Sequence, residues 1–253
     1  MLSDPRTWLF VLIVFAAFAV EAAAGFGSTV VAVTLGAFLF PLPVVLATFL
    51  PTSLLLSTYL ALRYRRFIDR AVLFRRILPL MGLGLAGGLA LARFESAGVL
   101  KLVFAAFVVV LAARELVPRK EPSTPPSPTS GRKRTALTLI TAGVVHGIFA
   151  CGGPLVVYYA GRTLRDKASF RATLSALWLV LNVVVIASLV QRGAVHADGL
   201  ALSALLVVPL VLGIVVGEQL HARVSEARFR RGVFVLLLIA GVVLLGRTYF
   251  YDL

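Results

Sequence analysis

An all-α polytopic membrane protein built from two inverted halves is the fold this sequence predicts, on three observations. The chain of 253 residues is 60% hydrophobic with a mean hydropathy of +0.98, above the apolar share of an ordinary soluble domain. Its apolar stretches fall into two sets separated by a proline-rich gap. The second set repeats the first at a nearly constant offset.

The first set spans roughly 8–24, 27–40, 43–62, 71–92 and 97–117. A helix crosses a bilayer with about 20 apolar residues. The opening run from Trp8 to Phe40 is longer, and it is interrupted at Glu21–Thr29, read as Glu-Ala-Ala-Ala-Gly-Phe-Gly-Ser-Thr. Gly25 and Gly27 lack a Cβ, so the helix can unwind there and expose backbone groups. Ala22-Ala23-Ala24 also fits the cleavage site of a secretory leader, but the stretch has an echo in the second half and is assigned to the fold. The gap, Pro118–Arg134, holds five of the twelve prolines and reads as a solvated linker. The second set spans 135–150, 152–161, 172–191, 199–221 and 231–250. It opens with a matching interruption at Val145–Pro154, read as Val-His-Gly-Ile-Phe-Ala-Cys-Gly-Gly-Pro. The short segments 27–40 and 152–161 predict broken or re-entrant helices, each half then adding three transmembrane helices. The organisation is therefore residues 1–117, a cytoplasmic linker 118–134, and residues 135–253.

The repeat rests on its rarer residues. An offset of about 125 residues places Glu21 on His146, Gly27 on Gly152, Gly36 on Gly161, Ala47-Thr48 on Ala172-Thr173 and Ser57 on Asn182. An offset of about 130 then places Pro79-Leu80 on Pro209-Leu210, Gly87 on Gly217 and Ala92-Arg93 on Ala222-Arg223. Charge sets the orientation, because Lys and Arg collect on the cytoplasmic side. Leu62–Arg76 carries six arginines against Asp69, and Arg114–Thr135 six basic residues against two acids. Arg162–Arg171 and His221–Arg231 each carry four against one. All four read as inside, whereas Arg93–Lys101 and Gln191–Asp198 read as outside. Matched loops thus fall on opposite sides, which makes the repeats inverted.

Two matching interrupted segments point to a transporter's binding site. Ser28, Thr29, Gly25, Gly27, Cys151, Gly152 and Gly153 are the candidate substrate ligands. Helix N-termini after the breaks would aim free N–H groups and the positive dipole end at an anion. The alternative is that the glycines serve close helix packing, which is the reading favoured for Gly84/Gly88 and Gly213/Gly217. Cys151 alternatively serves as an inert small residue. Glu21 is an intramembrane acid and a functional candidate for that reason, or else a structural ion-pair or capping residue. His146 is its counterpart, or else a hydrogen-bonded packing histidine. Both are candidates for proton coupling, because protonation and anion binding in one cavity favour each other by linkage.

The order of these motifs resembles the sulfite exporter TauE/SafE family. The resemblance lies in Gly25-Phe26-Gly27, Ala47-Thr48, Met81–Gly88, the basic loop after Tyr59 and Cys151-Gly152-Gly153-Pro154. It departs from the expected pattern at Ser28-Thr29 and Ala150-Cys151, where further glycine is expected. The resemblance implies a carrier of sulfite, sulfonates or thiosulfate in the bacterial inner membrane.

Formal net charge is +14, but the basic residues sit in short loops rather than on a soluble module, so the partners expected are lipid and a small anion, not nucleic acid. A single cysteine precludes an intrachain disulfide, and nothing asks for a metal or another cofactor. A homo-oligomer is left open. The rival readings are an anion channel, which would need a continuous polar stripe, and an intramembrane hydrolase using Ser28 with His146. No nucleotide-binding loop appears, so a carrier would draw on an ion or substrate gradient.

Overall fold

The computed structural model describes residues 4–24, 26–94, 97–117, 128–164, 166–223 and 226–251. All regular structure among them is helical. Among the described residues, six helices are long and apolar enough to cross a membrane. Leu12, Leu83, Val110 and Leu137 are all more than 60% exposed, as expected of side chains whose solvent is lipid.

The chain divides into two compact units. The first unit holds α1 (Pro5–Ala24), α2 (Ser28–Gly36), the start of α3 (Leu42–Arg63) and α6 (Ala97–Leu116). It also holds the end of α9 (Lys167–Gln191), α10 (Ala197–Leu205), α11 (Val207–Arg223) and α12 (Glu226–Tyr251). In α1, Phe10, Val14, Ala17, Phe18 and Glu21 recur at helical spacing and are all buried, while Trp8, Leu9 and Leu12 are exposed. Glu21 therefore faces protein, not lipid. The α1–α11 contact is close because α11 presents glycines. A Cβ on Gly217 would stand 2.5 Å from the Ala19 carbonyl oxygen. α6 packs along α12, with Gly241 against Val108 and Val109.

The second unit holds the end of α3, α4 (Arg70–Val72), α5 (Leu78–Phe94), α7 (Pro128–Phe149), α8 (Gly153–Thr163) and the first part of α9. Here α5 packs along α7. A Cβ on Gly84 would stand 2.1 Å from the Ile140 carbonyl oxygen, and one on Gly143 2.1 Å from that of Met81. The small-residue pairs on α5 and α11 are thus packing devices: only glycine lets two backbones approach so closely.

The short opening segments are short helices. α2 has nine residues and α8 eleven, about 14 and 17 Å of rise against a hydrocarbon core of about 30 Å. In the first unit the pair is a helical hairpin. Ser28 lies beside Glu21, Gly36 beside Phe10, and the Phe40 ring meets the Phe10 ring edge-on at 5.8 Å. α2 thus runs back antiparallel to α1.

Three details differ from the sequence reading. α7 begins at Pro128, so residues 128–134 of the expected linker are its first turns; residues 118–127 lie outside the described residues. The 199–221 segment is two helices with a break at Leu206. Before α5 the chain makes a π-turn at Leu73–Ile77. Both irregularities precede prolines, Pro209 and Pro79. Proline has no N–H for the carbonyl four residues earlier and clashes with it, so the helix breaks or widens there.

Candidate functional site at the two helix breaks

The first break is built by one residue with left-handed backbone. Gly27 has φ 105°, a conformation that side chains with a Cβ rarely adopt, and it turns the chain so that α2 starts at Ser28. Ser28 is fully buried, and its hydroxyl donates to Oε2 of Glu21, itself 6% exposed. The N-cap position is Gly27, which has no side chain of its own to cap α2. The first N–H groups of a helix have no partner within it, so this end is an electropositive backbone site beside a carboxyl. Thr29 is half-buried, and Gly25 lies outside the described residues. Thr34 of α2 is fully buried, with no hydrogen bond at its hydroxyl.

The second break is turned by Ala150, at φ 54°. Cys151 is a free thiol, 1% exposed. Gly152 is confined: a Cβ there would stand 2.3 Å from the Ala142 carbonyl oxygen, because the chain folds back on α7. Gly153 has room, its nearest neighbour being the Trp178 ring at 3.6 Å from an added Cβ. Pro154 follows in the first turn of α8, where its fixed φ suits the helix and its missing N–H costs nothing.

His146 anchors this break. It is 1% exposed, stacks on Trp178 at 5.5 Å and 16°, and its Nε2 lies 3.1 Å from Oδ1 of Asn182. An amide oxygen only accepts, so that contact places a proton on Nε2. Nδ1 is left without a hydrogen bond.

Of the sequence candidates, Glu21, Gly27 and Ser28 come together in one unit, and His146, Cys151, Gly152 and Gly153 in the other. Ser28 is engaged by Glu21 and His146 by Asn182, so neither is set up as half of a serine–histidine pair. Among the described residues no group of three His, Cys, Asp or Glu side chains could hold a metal.

Sequence reasoning missed a third polar cluster, in the first unit. The Thr52 hydroxyl donates to the Ser203 carbonyl at 2.9 Å, and the Ser203 hydroxyl lies 2.7 Å from the Thr48 carbonyl. Pro51, inside α3, supplies no N–H to the carbonyl of Ala47. The signal available was the density of hydroxyls around that proline.

Comparison with known proteins gives the class, a membrane transporter. The family model of the sulfite exporter TauE/SafE matches residues 9–244. The chain belongs to the sulfite exporter TauE/SafE family. It is similar to the probable inner membrane transporter protein TsaS of Comamonas testosteroni, 31% identical over 103 residues. That match covers 40% of this chain and 43% of the relative's length. No solved structure matches the chain.

Proposed function

We propose that the protein is a secondary carrier of a small anion, a sulfur oxyanion or organosulfonate, working by alternating access in the bacterial inner membrane. The observation that carries this reading is the pairing of a short returning helix with a buried titratable side chain at both breaks: Ser28 of α2 on Glu21, and α8 beside His146. Short helices whose N-termini open inside the bundle offer N–H groups and a positive dipole end to an anion without importing a full charge. The relative's name supports the membrane and the transport class.

The two halves are inverted repeats in this proposal. Its support is that α1 packs along α11 in one unit and α7 along α5 in the other, while the offsets pair α1 with α7 and α11 with α5. Glu21 and His146 are then the coupling residues. Protonation removes a negative charge from one break or adds a positive charge at the other, and either favours an anion.

Glu21→Gln tests the coupling. The amide oxygen keeps an acceptor for Ser28 but cannot exchange a proton. Binding and transport in proteoliposomes between about pH 5 and 8 should lose the part of their pH dependence that Glu21 carries. Wild-type anion affinity should fall as pH rises, since the deprotonated site repels the ligand. Gradient-driven accumulation should fail in the variant while downhill exchange survives. Accumulation and a pH profile identical to those of the wild type would make Glu21 structural.

A further inference from the structure

Four side chains of α9 form a stripe that runs beyond the second break toward the basic segment after α8. Arg171, Ser175, Trp178 and Asn182 follow one another at steps of four, three and four residues. At about 100° per residue they lie within about 60° of one another on the helix. All four belong to the second unit. The direction of the stripe is known from its far end, where Trp178 stacks on His146 and Asn182 hydrogen-bonds to it. Ser175 and Trp178 are buried, and the Ser175 hydroxyl donates to the Arg171 carbonyl at 2.8 Å.

Arg171 stands at the other end, in the basic segment that follows α8. Its guanidinium lies 5.3 Å from the centre of the Tyr64 ring, and its Nε–H is buried with no hydrogen-bond partner. The acids of the basic segments that flank this arginine, Leu62–Arg76 and Arg162–Arg171, are engaged elsewhere. Asp69 accepts from the Val72 N–H at 2.9 Å and Asp166 from the Ser169 N–H at 2.8 Å, each starting a helix. A snorkelling arginine would place all its N–H groups in water. One that sits over an aromatic ring and keeps a buried donor free is held ready for an acceptor. The matching positions of α3 are Leu46, Leu50, Ser53 and Ser57, so the cationic end exists in one half only.

We propose that this stripe is the substrate path between the cytoplasmic side and the second break, with Arg171 as the anion-selecting residue at its mouth. The ligand it fits is a small oxyanion with several equivalent oxygens, such as a sulfonate or thiosulfate, because a planar guanidinium offers paired N–H donors to such a group. Tyr64 holds the guanidinium in place, and Ser175 follows it on the same face of α9. This rests on the anion-carrier reading and adds to it an access side and a residue that discriminates by charge.

Wild-type protein, R171Q, R171K and Y64L would be reconstituted and assayed with sulfite, thiosulfate (a dianion) and methanesulfonate (a monoanion). R171Q should raise KM about tenfold or more, more for the dianion than for the monoanion, with a smaller change in kcat. R171K keeps the charge without the planar fork and should fall between R171Q and wild type. Y64L removes the stacking alone and should raise KM less than R171Q. Size-exclusion profiles and melting temperatures check folding, and if R171Q does not fold, an R171K protein with the wild-type KM overturns the role of Arg171. An unchanged KM in folded R171Q, or equal losses for monoanion and dianion, overturns it directly. Wild-type protein that carries none of the three anions would overturn the carrier reading instead, and this inference with it.

Discussion

At the scale of single residues, glycine does two separate jobs here. Gly27 supplies a left-handed turn, and Gly84, Gly88, Gly143 and Gly147 let two helices touch backbone to backbone. Gly82 and Gly87 do neither, since a Cβ at either would meet nothing within 4 Å. Gly84→Val should therefore lower the melting temperature in detergent sharply or abolish folding, because its side chain must displace the Ile140 carbonyl. Gly87→Ala should be neutral or stabilising by up to about 1 kcal/mol, from helix propensity alone. Equal effects from the two substitutions would contradict the close α5–α7 contact. Gly153, with room for a methyl, is the better glycine for probing the break without disturbing the bundle. Its neighbour Gly152 cannot separate ligand binding from packing, because any side chain there strikes the Ala142 carbonyl.

At the scale of elements, the prolines decide where helices yield. The π-turn at Leu73–Ile77 and the break at Leu206 both come just before a proline, at positions matched by the repeat. Pro209→Ala supplies the missing N–H to Leu205 and should fuse α10 and α11 into one regular helix. The expected outcome is a higher melting temperature and slower transport, the common exchange when a flexible element is stiffened. If hydrogen exchange across residues 203–210 does not slow, the proline is not what keeps the break open. Both prolines are plain in the sequence as markers of the repeat. Their effect on the helices was not legible, because a proline in an apolar run either kinks a span or is absorbed by its neighbours, and packing settles which.

At the scale of the whole molecule, the proposal of inverted halves makes a test of sidedness. Single cysteines in the 118–127 stretch and in His221–Arg231 should resist an impermeant thiol reagent added to intact cells, while cysteines in Arg93–Lys101 and Gln191–Asp198 should react. Cys151 is buried and can stay in place. Labelling of the two basic segments from outside would end the inverted-repeat proposal. The sequence by itself determined the membrane class and the place of the two breaks, and it supplied the proposals of paired halves and of Glu21 and His146 as coupling residues. Those follow from hydropathy, from glycine and proline, and from charge, all of which act locally along the chain. Only the tertiary structure decided that α1 takes α11 as its partner, that Ser28 closes on Glu21, and that Trp178 and Asn182 turn the Arg171 stripe toward His146. These depend on which faces of distant helices meet, and in a chain whose every span is apolar, hydropathy does not distinguish one face from another.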